Sequence, residues 1–243
     1  MTYLRSFTPA DRSAFATVVV FPQAGAGCLR LRSTASALPS GLNLLGVQMP
    51  GREDRLNDSP ANSLSEVVAR IGAELRDPAL HRPLVLLGVS LGALIAYEVA
   101  RKLEPEGAGP RSLVVAAARS PEYWRSFPAA DPPSAELTAL LHPSVRDSGT
   151  ARYALATLRS DVRLMAGYQV PSTPLTSTSL RSVSGSRDDV ATTAQMSGWR
   201  DRSTHYQGHQ VISADHHAFM DQDVLIGILS DVAETARRQV VHG

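Results

Sequence analysis

The chain has 243 residues, of which 43% are hydrophobic and 19% are charged, as is ordinary for a globular protein. Its net charge of +1 excludes a strongly basic surface field of the kind that binds nucleic acid, and it equally excludes a strongly acidic one. Its one cysteine, Cys28, excludes an intrachain disulfide and favours a reducing compartment. The N-terminal residues lack a secretory pattern, and no window of about 18 residues is both uncharged and apolar. The sequence therefore predicts a cytoplasmic protein without a membrane span.

Short apolar runs alternate with amphipathic segments along the chain. The runs are continuous rather than alternating in polarity, as expected of strands covered on both faces. In the segment 63–76, Ser63 lies three residues before Glu66, which is the spacing of a capping box. Strand–helix alternation predicts an α/β fold with a mostly parallel, doubly wound sheet. The predicted strands are 16–21, 42–49, 83–89, 112–118, 180–185 and 209–214, and the predicted helices are 29–38, 63–76, 93–104 and 221–240.

One interval breaks this alternation. Residues 122–179 lie between two predicted strands and are too many for a single crossover helix. Prolines and a glycine interrupt the interval, and helical stretches are predicted near 134–141 and 150–167. We interpret residues 122–179 as a helical lid inserted into a single domain that spans residues 1–243.

A serine lies between two glycines after the third predicted strand. The run Gly88-Val89-Ser90-Leu91-Gly92 fits the pattern G-x-S-x-G, with a strand before it and a helix after it. The backbone of such a turn is strained and nearby side chains would clash, so glycines flank the serine two positions away. A glycine-containing turn whose serine caps the next helix is the alternative. The strand–turn–helix context favours a nucleophile presented above the carboxyl edge of the sheet.

A nucleophilic serine needs a base, and the base needs an orienting acid. On this fold the chain order is serine, then aspartate or glutamate, then histidine. Two neighbouring aspartates, Asp188 and Asp189, follow the end of one predicted strand, and two neighbouring histidines, His216 and His217, follow the end of the next. The pattern predicts an acid in the first pair and a base in the second, and it leaves open which neighbour serves.

A tetrahedral intermediate also needs backbone donors for its oxyanion. The first long strand leads into FPQAGAG, whose glycines fit G-x-G and not the longer G-x-G-x-x-G of a dinucleotide site. An oxyanion loop near Ala24, paired with the backbone N–H of Leu91, fits this pattern better. Histidines and carboxylates do not occur at metal-ligand spacing, so we expect no metal and no cofactor.

Seven segments resemble, in chain order, the landmarks of type II thioesterases, which are stand-alone α/β-hydrolases that accompany polyketide synthases and non-ribosomal peptide synthetases. They are FPQAGAG, MPGREDRL, GVSLGA, VVAAARSP, TLRSDVRLMAGYQV, SGSRDDV and DHHAFM, and the match runs from about residue 16 to 225. The serine turn is generic to the superfamily. The P-G-R-x-x-R-L run at residues 50–56 and the L-R-x-D run at residues 158–161 are far more specific.

The resemblance implies a role for individual residues. It places Ser90 at the nucleophile, Asp188 at the acid, His217 at the base, and Ala24 and Leu91 at the oxyanion donors. The family's histidine precedes two largely aromatic residues and a leucine, and the residues after His217 fit that pattern better than a frame starting one position earlier.

Three features depart from the family pattern. The family usually has histidine where Gln23 and Val89 stand, and a glycine pair where Asp215 and His216 stand. None of these departures removes a triad member, although His216 remains an alternative base. Residues 122–170 correspond to the family's helical lid over the substrate channel.

The resemblance implies hydrolysis of acyl groups from the phosphopantetheine arm of an acyl or peptidyl carrier protein, which would edit a polyketide or non-ribosomal peptide assembly line. Alternatives that use the same triad are a carboxylesterase and a chain-releasing cyclase or acyltransferase. An alternative of another class is a non-catalytic hydrolase-fold module that docks on a carrier or synthase.

Overall fold

The computed structural model describes residues 2–80, 83–124 and 133–241, and side chains within 238–241 are outside the description. Its strands form one seven-stranded sheet in the order β1-β3-β2-β4-β5-β6-β7, where β1 is Leu4–Ser6, β2 Ala16–Phe21, β3 Leu42–Val47, β4 Leu84–Val89, β5 Ser112–Ala116, β6 Ser179–Gly185 and β7 Tyr206–Ile212. Strand β1 is antiparallel to β3, and every other neighbouring pair is parallel. The predicted α/β class with a mostly parallel sheet is confirmed.

The helices of the described ranges are α1 (Leu31–Ser36), α2 (Leu64–Leu75), α3 (Leu91–Leu103), α4 (Ser134–Ala139), α5 (Pro143–Arg146), α6 (Ala151–Arg163), α7 (Thr193–Met196) and α8 (Gln222–Val241). The predicted capping box of α2 is half formed. The Ser63 hydroxyl accepts the backbone N–H of Glu66, but the Glu66 carboxylate accepts the backbone N–H of Asn62 instead of that of Ser63. No helix within these ranges is long and apolar enough to cross a membrane.

Helices cover both faces of the sheet, which explains why the strands are continuously apolar. In β4, Leu84 and Leu86 pack into the core formed with α2 and α3, whereas Val85 and Leu87 pack into the core formed with α1 and α8. Because successive side chains of a strand point to opposite faces, every position of β4 is buried. The carboxyl ends of the parallel strands therefore share one edge, where both β4 and β6 lead into the loops of the site.

Helices α4, α5 and α6 lie between β5 and β6, in the interval predicted to be a lid. Helices α4 and α6 correspond to the stretches predicted near 134–141 and 150–167, and residues 125–132 of the interval lie outside the described residues. Leu137, Leu141, Leu158 and Val162 form a small apolar cluster of their own within this insertion. The insertion therefore has internal packing that is distinct from the two cores of the sheet.

Glu104 forms hydrogen bonds with the residues at the C-terminal end of the insertion, next to β6. It follows α3 directly, and its carboxylate accepts the backbone N–H groups of Thr176 at 2.9 Å, Ser177 at 2.9 Å and Thr178 at 2.6 Å. Partial burial alone would raise the pKa of Glu104, but these donors prevail and lower it to about 2. The ionised carboxylate therefore holds residues 176–178 at the start of β6.

We expect Glu104→Gln to lower the free energy of unfolding by about 1–2 kcal/mol at pH 7, because a neutral amide is the weaker acceptor. A depressed folded-state pKa stabilises the fold above the unfolded value near 4.5, and this contribution is lost as the pH falls from about 4.5 towards 2. Urea unfolding between pH 7 and pH 3 should therefore show a difference that shrinks on acidification. The control, Glu106→Gln, removes an exposed ion pair with Arg76 and should have a smaller effect. A pH-independent difference for Glu104→Gln would contradict this account.

Candidate active site

Ser90 occupies a strained turn between β4 and α3. Its φ of 54° and ψ of −123° lie outside the regions that L-residues favour, and its backbone N–H donates to the carbonyl of Ala116 at 2.9 Å. A Cβ on Gly88 would lie 2.3 Å from the Cα of Ala93, so the turn requires glycine there. The Ser90 hydroxyl makes no capping hydrogen bond to α3, which argues against the helix-cap alternative.

A cavity of about 270 Å³ opens beside this turn. Loops at the strand ends supply most of its polar side chains, and the insertion supplies half of its apolar residues. The lining residues are Gln23, Ala24, Ser90, Leu91, Ala117, Arg119, Trp124, Glu136, Leu137, Leu140, Leu158, Val162, Val190, Ala191 and His216. A larger surface groove of about 710 Å³ lies elsewhere, and its lining contains none of the predicted site residues. The 270 Å³ cavity is therefore the candidate active site.

Asp188 and His216 form a buried hydrogen-bonded pair at the cavity. The Nδ1 atom of His216 lies 2.9 Å from Oδ2 of Asp188, and the Asp188 side chain is 0% exposed. Oδ1 of Asp188 also accepts the backbone N–H groups of Val190 at 2.9 Å and Ala191 at 2.8 Å. Because a carboxylate accepts, Nδ1 of His216 carries the proton and its Nε2 remains as the basic nitrogen. Asp189 is exposed, so of the two aspartates Asp188 fits the role of acid.

The structure pairs His216, rather than the predicted base His217, with Asp188. Nδ1 of His217 is buried without a hydrogen-bond partner in the described structure, and the described cavity lining contains His216 instead. His217 begins a single 3₁₀ turn, in which consecutive side chains point about 120° apart, so two neighbouring residues cannot both face one carboxylate. The identity of the residues that follow a histidine does not determine which way its side chain points.

His217 packs between two other imidazoles. Its ring centroid lies 5.8 Å from that of His216 and 5.1 Å from that of His142, and both contacts are edge-on. His142 caps the N-terminus of α5, so this contact joins the insertion to the turn that carries His216. Burial and the neighbouring imidazoles lower the pKa of His217, and its ring is neutral at neutral pH. His217 therefore packs against His216 without a hydrogen bond from its Nδ1 to Asp188.

The two residues predicted to supply backbone donors for an oxyanion also line the cavity. Ala24 and Leu91 both line it, and Leu91 is the first residue of α3, where backbone N–H groups lack intrahelical acceptors. The backbone N–H of Ala24 has no acceptor within the described ranges. A Cβ on Gly92 would lie 2.3 Å from the carbonyl oxygen of Phe21, which shows how closely α3 begins against the end of β2.

The P-G-R and L-R-x-D motifs, which are far apart in the sequence, meet beside the loop that contains Ala24 and Gly25. The guanidinium of Arg52 binds the carboxylate of Asp161 through two contacts of 2.6 Å, and Asp161 Oδ2 also accepts the backbone N–H of Gly25 at 2.8 Å. The sequence marks both the P-G-R and L-R-x-D motifs as specific but gives them no physical role. Their residues are 109 positions apart, so sequence spacing carries no signal of the contact.

Cys28 is not a rival nucleophile. Burial, followed by the nearby carboxylate of Glu53, raises the pKa of its thiol to about 12, so it is protonated at neutral pH. Its backbone N–H donates to the side chain of Gln48 at 2.8 Å. Within the described part of the chain, no group of three or more histidine, cysteine, aspartate or glutamate side chains is arranged to hold a metal ion.

Comparison with known proteins identifies a family and a fold for this chain. The thioesterase domain family matches residues 16–235. A protein named probable cadicidin biosynthesis thioesterase, from Streptomyces griseus, is 28% identical over 99% of this chain, and thioesterase PikA5 from Streptomyces venezuelae is 30% identical over 90% of it. The chain spans 81% of PikA5, 66% of the Streptomyces griseus protein and 9% to 15% of longer synthetase and synthase relatives.

A solved structure of a thioesterase has a similar fold. The type II thioesterase BorB from the borrelidin biosynthetic cluster superimposes with a TM-score of 0.80 at 25% identity. The match covers 95% of this chain and 97% of BorB. This chain and BorB therefore share one fold over nearly their whole lengths.

Proposed function

The chain belongs to the thioesterase domain family, and from this membership we propose that it hydrolyses acyl thioesters with Ser90, His216 and Asp188 as its catalytic triad. One observation carries the proposal. Ser90, on its strained turn, and His216 line a single cavity. The buried carboxylate of Asp188 binds Nδ1 of His216 and two backbone N–H groups, and it thereby orients the imidazole ring. These observations support the assignment of Ser90 as nucleophile, His216 as base and Asp188 as orienting acid, the three roles that acyl transfer through a serine requires.

In the proposed reaction, Oγ of Ser90 attacks the thioester carbonyl while Nε2 of His216 takes its proton. Asp188 stabilises the imidazolium and keeps the proton on Nδ1. The carbon–sulfur bond then breaks, and the proton passes to the departing thiolate. A water activated by His216 hydrolyses the acyl-enzyme, which releases a carboxylic acid and restores Ser90.

Backbone donors stabilise the charge that develops on the carbonyl oxygen. We assign this role to the N–H groups of Ala24 and Leu91, whose loss would cost roughly 3–4 kcal/mol of transition-state stabilisation each. Neither peptide group needs to break an internal hydrogen bond to do so, because Ala24 has no acceptor in the described ranges and Leu91 begins a helix.

The substrate we propose is an acyl group on the phosphopantetheine arm of an acyl or peptidyl carrier protein. Two features support it: the similar proteins named for cadicidin biosynthesis and for the borrelidin biosynthetic cluster, and the apolar side chains that α4 and α6 place on the cavity wall, including Leu137, Leu158 and Val162. Residues 122–179 would then be a lid over the acyl chain within a single domain, and release of stalled acyl groups would be the biological task.

The test combines turnover with labelling. We expect intact-mass analysis of a panel of acyl-carrier proteins to show loss of the acyl mass after incubation with the protein, and a fluorophosphonate to label the wild type but not Ser90→Ala. Failure to deacylate any carrier, or labelling that survives in Ser90→Ala, would contradict the proposal. Faster turnover of a matched oxoester would indicate a carboxylesterase. A cyclic product would indicate a chain-releasing cyclase. The absence of both turnover and labelling would indicate a docking module.

A further inference from the structure

The ion pair of Arg52 and Asp161 is nearly sealed from water. The side chains are 7% and 6% exposed, and the two guanidinium–carboxylate contacts of 2.6 Å have the bidentate geometry that arginine favours. Arg52 also donates to the carbonyls of Pro50 and Ala26. A charge pair buried in this way is held together strongly, because separating it would leave two unpaired charges inside the protein.

The pair joins three separate parts of the molecule. Asp161 belongs to α6 of the insertion, and Arg52 belongs to the loop that follows β3. The third part is the oxyanion loop (residues 23–27), where Asp161 accepts the backbone N–H of Gly25 and Arg52 donates to the carbonyl of Ala26. Gly25 directly follows Ala24 and has a φ of 76°, so its backbone adopts a conformation that only glycine reaches without strain.

We propose that Arg52 and Asp161 are positioning residues that set the oxyanion loop from α6, so that docking of the insertion and formation of the oxyanion hole are coupled. Neither residue lines the cavity: Asp161 acts through the N–H of the peptide group between Ala24 and Gly25, and Arg52 acts through the carbonyl of Ala26. The inference rests on the proposed function, because it assigns Ala24 the role of oxyanion donor. It gives the two specific sequence motifs a common physical purpose.

The coupling predicts a particular kinetic signature. If the pair only stabilised the fold, its loss would reduce the amount of folded protein without changing turnover per active site. If it positions Ala24, its loss weakens an interaction that strengthens in the transition state, so kcat falls while KM stays nearly constant. A misplaced oxyanion donor reduces rates by roughly 10- to 100-fold.

The test uses Asp161→Asn, which keeps the side-chain size and an oxygen for Gly25, and Arg52→Lys, which keeps the charge but not the bidentate contact. Turnover of an acyl-pantetheine thioester is measured per active site, as titrated with a fluorophosphonate. We expect kcat to fall roughly 10- to 100-fold in Asp161→Asn and less in Arg52→Lys, with KM within about twofold. Affinity for an alkyl boronic acid, which forms a tetrahedral adduct with a serine, should fall in parallel with kcat.

Glu104→Gln is the matched control, since it weakens the fold at the other end of the insertion and should leave kcat per site unchanged. Unchanged kcat in both Asp161→Asn and Arg52→Lys would overturn the inference while leaving the proposed function intact. An equal loss of kcat in Glu104→Gln would also overturn it, because the effect would then report general destabilisation. A wild type that hydrolyses no thioester would remove the proposed function, and the inference with it.

Discussion

Replacing His216 by alanine should lower kcat for thioester hydrolysis by at least about 10³-fold, whereas His217→Ala should lower it by less than about 10-fold. The Nδ1 atom of His216 is bound to Asp188, which leaves its Nε2 to take the Ser90 proton, and His216 lines the cavity. Nδ1 of His217 has no hydrogen bond to Asp188, and burial and the neighbouring imidazoles lower the pKa of His217 so that its ring is neutral. Its loss removes packing against His216 but not the proton acceptor.

The two histidines are matched controls for one another because they are adjacent and chemically identical. Steady-state kinetics with one acyl-pantetheine substrate, together with thermal unfolding, separate catalytic loss from misfolding. Loss of activity in His217→Ala with retention in His216→Ala would reverse the assignment. Equal losses of at least 10³-fold in both variants, with both folded, would show that Asp188 does not select a single base.

The main sheet could be predicted from sequence because its signal is local. Strands β2 to β5 are buried on both faces, so each appears as a mostly apolar run bounded by turn residues. Strand β1 has three partly exposed residues at the sheet edge, and α5 has four residues. Elements this short contain too few residues to show a period.

The site was predictable where chemistry constrains neighbouring residues. The Ser90 turn needs small residues two positions away, and these glycines can be read directly in the sequence. The choice between His216 and His217 depends on how one 3₁₀ turn is rotated relative to a loop 28 positions earlier in the chain. The residues that flank a histidine do not encode that rotation, which is why the frame based on family resemblance favoured His217, whereas the histidine hydrogen-bonded to Asp188 is His216.

The contact of Arg52 with Asp161 shows the same limit at longer range. Each motif could be identified as unusual, but the contact forms only when α6 packs over the loops that follow β2 and β3. That packing depends on the tertiary fold and not on the period of either segment. A buried ion pair between distant motifs is therefore visible only in the folded structure.

We expect Gly92→Ala to lower the free energy of unfolding by about 3 kcal/mol or more, which is at the upper end for overpacking. A Cβ at this position would lie 2.3 Å from the carbonyl oxygen of Phe21 and 2.4 Å from that of Pro22. Both are backbone atoms at the end of a central strand, so no side-chain rotation relieves the clash. The usual advantage of alanine over glycine within a helix, about 1 kcal/mol, is too small to offset it.

The matched control is Gly227→Ala in α8, where a Cβ meets nothing within 4 Å, and there we expect a gain of about 0.5–1 kcal/mol. Urea unfolding of both variants measures the difference. Gly92→Ala should also lower kcat in the protein that remains folded, because relief of the clash must move Pro22, and with it the neighbouring Ala24. Stability and turnover equal to the wild type would show that α3 can shift without cost. It would then follow that the close approach of α3 to β2 is not what brings the backbone groups of Leu91 and Ala24 to one cavity.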